Sequence, residues 1–249
     1  MGYLEVMTIA GAGLCAGAVN TIVGSGSLIT FPALLAVGYP PFVANITNTT
    51  GLVTGSISGA VGYRRELAGQ LSRVLVLGAI ACCGGVAGGV FLLVLPGAFQ
   101  TVVPYLILLA VVLMLLQPRL QRRRSMREAP AGAHRIGLGA ATLLTGVYGG
   151  YFGAAQGVIL IAVLGSFLVD DLQRLNALKN VITAIVNAVA AALFVAVAPV
   201  QWLPAGLIAG GAVLGGQLGA ILGRRLSPRL LRYLIAAMGV AVAVRLLID

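Results

Sequence analysis

Four polar residues recur at helical spacing in the second half of the chain, within an otherwise uncharged run: Asn176, Asn180, Thr183 and Asn187. They share one helix face, and Lys179, the only lysine among 16 basic residues, lies at its edge. Ammonium, amide and hydroxyl groups donate hydrogen bonds, so this face suits a small anion. The alternatives are hydrogen bonding between helices for the asparagines and a lysine that reaches back to the membrane surface.

The first half holds a matching set of residues. Adding 131 to seven residue numbers places polar residues on polar residues and glycines on glycines: Asn45, Asn48, Thr49, Ser56, Gly84, Gly85 and Gly88 become Asn176, Lys179, Asn180, Asn187, Gly215, Gly216 and Gly219. This constant offset indicates an internal repeat. We therefore expect a first repeat over 1–119, a basic linker over 120–135 and a second repeat over 136–249.

Glycine-rich stretches interrupt one long apolar segment in each half. The first stretch consists of Gly24, Ser25, Gly26 and Ser27. The second stretch is 149–153, and Gln156 follows it at a position that corresponds closely to that of Ser27 in the first half. A helix that begins at such a stretch directs free N–H groups and the positive end of its dipole into the break, which favours an anion. Packing between membrane helices is the alternative role for these glycines. Asn20, Tyr148 and Tyr151 flank the breaks and are candidates for lining a pathway.

The composition places these segments in a bilayer. The chain has 249 residues, of which 59% are apolar and 9% charged, against roughly 25% charged in a soluble domain. Eight apolar segments recur, each too long for a barrel strand: 4–37, 46–63, 74–95, 99–117, 136–169, 175–198, 203–223 and 230–248. We predict an all-α, polytopic transmembrane bundle.

The first and fifth segments are too long for one crossing. As straight helices they would reach about 50 Å, against a hydrocarbon core of about 30 Å. Because each contains a glycine-rich stretch near its middle, each is predicted to be a broken helix or hairpin. Each repeat then has one hairpin and three spanning helices.

The arginines predict how the two repeats are oriented. The linker is rich in arginine and is therefore expected in the cytoplasm. A basic loop follows the second segment of the first repeat but the third segment of the second repeat, so corresponding loops face opposite sides. With two hairpins, every loop that has several arginines becomes cytoplasmic and both termini lie outside, with Arg245 as the exception. Inverted repeats with broken helices are typical of transporters.

The sequence lacks the residues that a catalytic site or a metal site would need. The single histidine, His134, lies in the linker, and no acidic residue lies at the centre of a span. We therefore expect no catalytic residue, no metal site and no cofactor. The basic residues lie in short clusters between apolar segments, which argues against nucleic acid as a partner. Because no carboxylate lies at mid-span to carry a proton, the options are a uniporter, an exchanger, or proton coupling through Asp170 or Asp171 at the membrane border. A homodimer is one option for the assembly.

Several short motifs resemble the TauE/SafE family of membrane transporters. They occur in the family's order along nearly the whole chain: 24–27 with Phe31-Pro32, Pro40-Pro41, 44–48, Ser58-Gly59 with 63–65, 176–180, Asn187-Ala188 and Phe194. The resemblance implies an inner-membrane carrier of bacteria or archaea for sulfite, sulfonates such as sulfoacetate, or related small anions. The family's glycine run is often richer in glycine, and Ser25 and Ser27 interrupt it here.

We therefore predict a secondary transporter that moves a small anion by alternating access, with one repeat rocking against the other. The expected substrate contacts come from both breaks and both polar faces: Gly24, Ser25, Gly26, Ser27, Asn45, Thr47, Asn48, Gln156, Asn176, Lys179, Asn180 and Asn187. The expected partners are the anion and the lipid bilayer. The alternatives are a channel-like anion pore and a membrane scaffold that transports nothing.

Overall fold

The computed structural model describes residues 1–122, 131–222 and 228–248, and these residues form ten α-helices and no strand. In chain order the helices are α1 (Tyr3–Ile22), α2 (Ser27–Ala36), α3 (Pro41–Gly62), α4 (Leu71–Val94), α5 (Pro96–Arg122), α6 (Ala131–Tyr151), α7 (Gln156–Phe167), α8 (Leu172–Val197), α9 (Trp202–Leu222) and α10 (Pro228–Ile248). Helices α5 and α6 extend into the predicted linker, whose residues 123–130 lie outside the described residues, as do Arg224 and Arg225.

Both overlong apolar segments are broken, as predicted. Helix α1 ends where Gly24 adopts a φ of 87°, and α6 ends where Gly153 adopts a φ of 75°. The N–H of Gly24 donates to the carbonyl of Val19 at 3.1 Å, and the N–H of Gly153 donates to that of Tyr148 at 3.2 Å. A glycine in the left-handed region is the common C-terminal stop of a helix. The same stop therefore ends the first helix of each hairpin.

The two halves repeat one order of helices and one set of contacts. Helix α3 begins at Pro41 and α8 at Leu172, and α4 begins at Leu71 and α9 at Trp202, so both pairs are 131 residues apart. Helix α1 packs on α9 as α6 packs on α4, while α3 packs on α8 and α5 on α10. The ten helices confirm the predicted all-α bundle, and the paired contacts are those expected of two related halves.

A polar cluster shows which loops share an end of the bundle. Arg73, in the first turn of α4, forms an ion pair with Asp170, which precedes α8. Arg174 donates to the carbonyl of Ala68 at 3.1 Å, and the Gln70 amide donates to the carbonyl of Arg174 at 3.0 Å. The loops before α4 and before α8 therefore lie at the same end. Had the fifth segment crossed the membrane once, they would lie at opposite ends, so the hairpin prediction is confirmed.

This arrangement predicts which substituted positions are labelled from the same side. In a background where the three native cysteines are replaced by alanine, Arg65→Cys and Val169→Cys should react with a membrane-impermeant maleimide from the same side. Both positions are exposed, and Val169 is 101% exposed. Inverted vesicles, which present the cytoplasmic face, should give the reaction and intact spheroplasts should not. Labelling of the two positions from opposite sides would contradict the hairpin.

Glycines let helices of different halves touch backbone to backbone. A Cβ added at Gly215 in α9 would lie 2.0 Å from the carbonyl oxygen of Leu14 in α1. A Cβ added at its repeat counterpart, Gly84 in α4, would lie 2.4 Å from that of Leu143 in α6. Only glycine fits such contacts. The first helix of each half is thus packed into the other half, and the halves interlock.

Five of the described helical stretches are long and apolar enough to cross a membrane: Tyr3–Ile22, Leu71–Val94, Pro96–Leu116, Leu172–Val197 and Trp202–Ile221. Helices α2 and α7 are too short to cross, with 10 and 12 residues. Two short helices beside several full-length ones fit hairpins whose second arm returns to its own side.

Candidate functional site

The two helix breaks meet inside the bundle. The N–H of Gly157, in the first turn of α7, donates to the carbonyl of Gly24 at 3.0 Å. A Cβ on Gly24 would lie 2.5 Å from the Cα of Gly157, so both positions need glycine. Beside them, the rings of Phe31 and Phe152 pack edge to face with centroids 5.4 Å apart. The sequence predicted two breaks, and the structure brings them into contact.

Helices α2 and α7 both begin at this contact. The first N–H groups of a helix lack partners within it, and the positive end of the helix dipole lies there. Ser25 is buried and its hydroxyl donates to the sulfur of Met114 on α5 at 3.4 Å, a weak acceptor. Gly26 packs against Ala16 and Asn20 of α1, and Ser27 is half-buried at the start of α2. The four residues 24–27 thus lie between α1 and the start of α2.

Lys179 is fully buried and bonds to the end of a broken helix. Its Nζ donates to the carbonyls of Asn20 at 3.1 Å and Thr21 at 3.2 Å, in the last turn of α1. Its exposure is 1%, and among the described residues it is the only charged side chain in the buried set. The ammonium therefore lies inside the protein and does not reach back to the surface. A cation at a helix C-terminus is favourable because the negative end of the dipole lies there.

Asn45 and Asn176 are repeat counterparts, and each donates a hydrogen bond to a carbonyl at the end of the first helix of one hairpin. Asn176 donates to the carbonyl of Thr21 at 3.2 Å, at the end of α1. Asn45 donates to the carbonyl of Tyr151 at 3.0 Å, at the end of α6. Each side chain thus satisfies a helix-end carbonyl that has no partner within its helix. From the sequence we expected only the N–H groups at the breaks to act, and these C-terminal carbonyls were missed.

Ser56 and Asn187, also repeat counterparts, bond to each other where α3 packs on α8. The amide of Asn187 donates to the Ser56 hydroxyl at 3.2 Å, and the amide of Asn20 donates to the same oxygen at 3.1 Å. This network joins α1, α3 and α8. Thr47, in contrast, accepts the N–H of Gln201 at 3.1 Å, just before α9. Its hydroxyl is therefore engaged at the end of α3 away from Arg73 and Asp170.

Several buried polar atoms lack a hydrogen-bond partner in the part of the chain that the structure describes. On the helices that meet at the breaks they are both amide atoms of Gln156, Asn48 Nδ2, Asn180 Nδ2, Asn45 Oδ1 and Thr183 Oγ1. Leaving such a group unpaired costs about 1–3 kcal/mol. A ligand that formed hydrogen bonds with these atoms would remove this cost. Most of the atoms are N–H or O–H donors.

The unpaired donors lie on α7 and on helices that pack against the two hairpins. Asn180 and Thr183 lie between Asn176, which bonds the end of α1, and Asn187, which bonds Ser56, on one face of α8. The side-chain oxygen of Asn48, Oδ1, accepts a hydrogen bond from the hydroxyl of Thr30 in α2. The side-chain N–H groups of Asn48 are left for another partner.

Gln156 is 1% exposed and begins α7. A Cβ on Gly149 would lie 2.3 Å from the Gln156 amide carbon, so this side chain lies directly against α6. Its two unpaired amide atoms are therefore held next to the second break. The sequence contains no signal that predicts this packing.

Both aspartates near the border have structural partners. Burial raises the pKa of Asp170, but hydrogen bonds from Arg73 and the Asp171 N–H, with the charges of Arg174 and Arg73, lower that pKa below its usual value. Asp171 caps α8 by accepting the N–H of Gln173 at 2.9 Å. The lowered pKa of Asp170 favours its ionised form, and Asp171 serves as a helix cap. Neither role supports proton coupling.

The comparison with protein families decides the family. Residues 9–246 match the family model "Sulfite exporter TauE/SafE". The chain belongs to the TauE/SafE family. This TauE/SafE protein is also 27% identical over 240 residues to "Probable membrane transporter protein YfcA" of Escherichia coli (strain K12), covering 95% of this chain and 87% of the relative.

Two further relatives of this TauE/SafE protein carry similar names. A "Probable membrane transporter protein" of Haemophilus influenzae is 27% identical over 238 residues, or 95% of this chain and 92% of the relative. "Probable membrane transporter protein ORF9" of Sinorhizobium sp is 25% identical over 239 residues, or 96% and 90%. No solved structure matches. With its apolar spans, this TauE/SafE protein is a multi-pass transporter of the bacterial inner membrane.

Proposed function

We propose that this TauE/SafE protein is a secondary transporter that carries a small oxyanion, such as sulfite or a sulfonate, by alternating access. The single observation that carries the proposal is Lys179, a buried basic side chain that has no carboxylate partner among the residues that the structure describes. A charge inside a membrane protein is costly unless it is paired, and a mobile anion supplies the missing pair.

The polar groups on the helices at the two breaks support an oxyanion as the ligand. The buried polar side chains of the described residues include amides and hydroxyls but no carboxylate. Asn48, Gln156, Asn180 and Thr183 have unpaired donors, and two helix N-termini meet at Gly24. A site that has hydrogen-bond donors and no carboxylate binds an oxyanion well, because no negative charge in the site repels it. The close contact of the two breaks leaves room for a small ligand only after the breaks separate.

The packing suggests which bodies move. Helices α1, α3 and α9 pack together, as do α4, α6 and α8. Because the glycine contacts hold α1 to α9 and α4 to α6, we propose that these two bundles move against each other. This differs from the rocking of one sequence repeat against the other that we expected from the sequence. A motion of one sequence repeat against the other would have to open the contacts at Gly84 and Gly215.

The capping side chains then act as gates between the bundles. Lys179 and Asn176 of α8 hold the end of α1, near the Arg73 end of the protein, and Asn45 of α3 holds the end of α6 near the opposite end. An anion that pairs with the Lys179 ammonium weakens the hydrogen bonds from Lys179 to the carbonyls of Asn20 and Thr21. Anion binding would thereby favour opening on that side.

Counterflow in proteoliposomes tests the transport proposal. Vesicles loaded with unlabelled sulfite and diluted into labelled sulfite should accumulate the label transiently, and uptake should saturate with concentration. Vesicles without protein are the control. Single-channel currents without counterflow would contradict the carrier and favour an anion pore. A protein that neither binds nor moves sulfite or sulfoacetate would contradict the proposal altogether.

A further inference from the structure

A groove between α4 and α6 combines apolar walls with two arginines at one end. It has a volume of about 510 Å³, and Val76, Ile80 and Leu138 form part of its wall. Arg73 and Arg135 line it at the end where α4 begins and where the loop before α8 lies. This groove shares none of its lining residues with the candidate anion site. Its chemistry is therefore a separate question.

The charged end of the groove can hold a phosphate. Arg73 donates to Asp170 and Gln70 through Nη1, but a guanidinium has five N–H donors, so others remain. Arg135 is exposed and pairs with no carboxylate in the part of the chain that the structure describes. Arg73, Arg174 and Arg135 together outnumber the neighbouring Asp170 and Asp171 at this end. Arginine pairs well with phosphate because its N–H groups form a planar fork.

The rest of the groove is suited to hydrocarbon. A Cβ at Gly139 would lie 3.6 Å from the Ile80 side chain, which is ordinary contact, so the glycine leaves open space along the groove. A second groove, between α3 and α8, has apolar walls but a single arginine, Arg64. The α4–α6 groove differs from it by a second arginine and by the hydroxyl of Ser72. An amphiphile with an acidic headgroup matches this combination.

We propose that the α4–α6 groove binds an anionic phospholipid. Its phosphate lies between Arg73 and Arg135, and its acyl chain lies against Val76, Ile80 and Leu138. Basic pockets between membrane helices on the arginine-rich side bind acidic headgroups in this way. The bound lipid would join α4 to α6 at the end of the bundle where the basic loops lie.

Native mass spectrometry of the full chain in detergent tests this proposal with phosphatidylglycerol as the probe. Arg135→Gln should weaken phosphatidylglycerol binding about tenfold, the loss expected for one charged contact. Arg65→Gln, the matched control, removes an equal charge from an exposed position at the same end that does not line the groove. It should change binding less than about twofold. Gly139→Leu should also weaken binding because it fills the groove and keeps both arginines.

Three outcomes would overturn the proposal. Equal weakening by Arg65→Gln and Arg135→Gln would mean that only the general surface charge attracts the lipid. Equal binding of phosphatidylcholine and phosphatidylglycerol would mean that the arginines do not select an acidic headgroup. Displacement of the lipid by free glycerol phosphate at equal concentration would mean that the site takes a phosphate without its acyl chain. Thermal unfolding of each variant shows that the comparison concerns folded protein.

Discussion

Lys179→Gln should lower the affinity for sulfite about a hundredfold and leave the folded protein nearly as stable as the wild type. Glutamine keeps N–H donors for the carbonyls of Asn20 and Thr21, so the end of α1 stays capped. It removes the positive charge that pairs with the anion in a site of low dielectric. Isothermal titration calorimetry gives the affinity, and thermal unfolding gives the stability.

Asn176→Ala is the matched control for this prediction. It removes a bond to the same carbonyl of Thr21 but leaves the lysine charge in place. We expect a loss of about 1 kcal/mol in unfolding free energy and a change of less than about threefold in sulfite affinity. If Lys179→Gln binds sulfite as the wild type does, Lys179 only caps α1 and the proposed role is wrong. Lys179→Ala is the poorer test, because it removes the cap and the charge together.

The second large effect is expected at the glycine contacts between the halves. Gly215→Ala should prevent correct folding, because the new Cβ would lie 2.0 Å from the carbonyl oxygen of Leu14. Helices α1 and α9 would have to separate along their length, at a cost of about 3 kcal/mol or more. Gly84→Ala should fail similarly, because its Cβ would lie 2.4 Å from the carbonyl oxygen of Leu143.

Gly210→Ala supplies the control on the same helix. A Cβ at Gly210 meets no atom within 4 Å, and alanine favours a helix by about 1 kcal/mol over glycine. The folded yield of this variant should equal or exceed that of the wild type. Size-exclusion chromatography of fluorescent fusions measures the monodisperse fraction of each variant. Equal yields of the Gly215→Ala and Gly210→Ala variants would contradict the close packing of α1 on α9.

The sequence predicted the parts of the fold that depend on length, charge and repetition. Segments of excess length required breaks, and Gly24 and Gly153 supplied them. The arginine pattern required hairpins, and the pair of Arg73 with Asp170 confirmed that two loops share an end. The offset of 131 residues in the sequence reappeared in the starts of corresponding helices. Each of these properties can be read along the chain without knowing which helices touch.

The partners of individual side chains were beyond such reasoning. Helical spacing assigned Asn45 and Asn176 to polar faces, but a face does not reveal which neighbour it meets. The structure pairs Asn45 and Asn176 with helix-end carbonyls and Thr47 with the N–H of Gln201. Every residue has a carbonyl, so the sequence gives no signal for these acceptors. The interlocking of the halves was hidden for the same reason, since glycine spacing predicts close packing but names no partner helix.

Anomalous diffraction from crystals grown with selenite tests the anion site most directly. Selenite has the charge and shape of sulfite, and selenium locates it without ambiguity. The account predicts a selenium peak within hydrogen-bond reach of the Lys179 ammonium and beside the contact of Gly24 with Gly157, with the two breaks moved apart. A peak only between Arg73 and Arg135, with Lys179 still bonded to the carbonyls of α1, would contradict it.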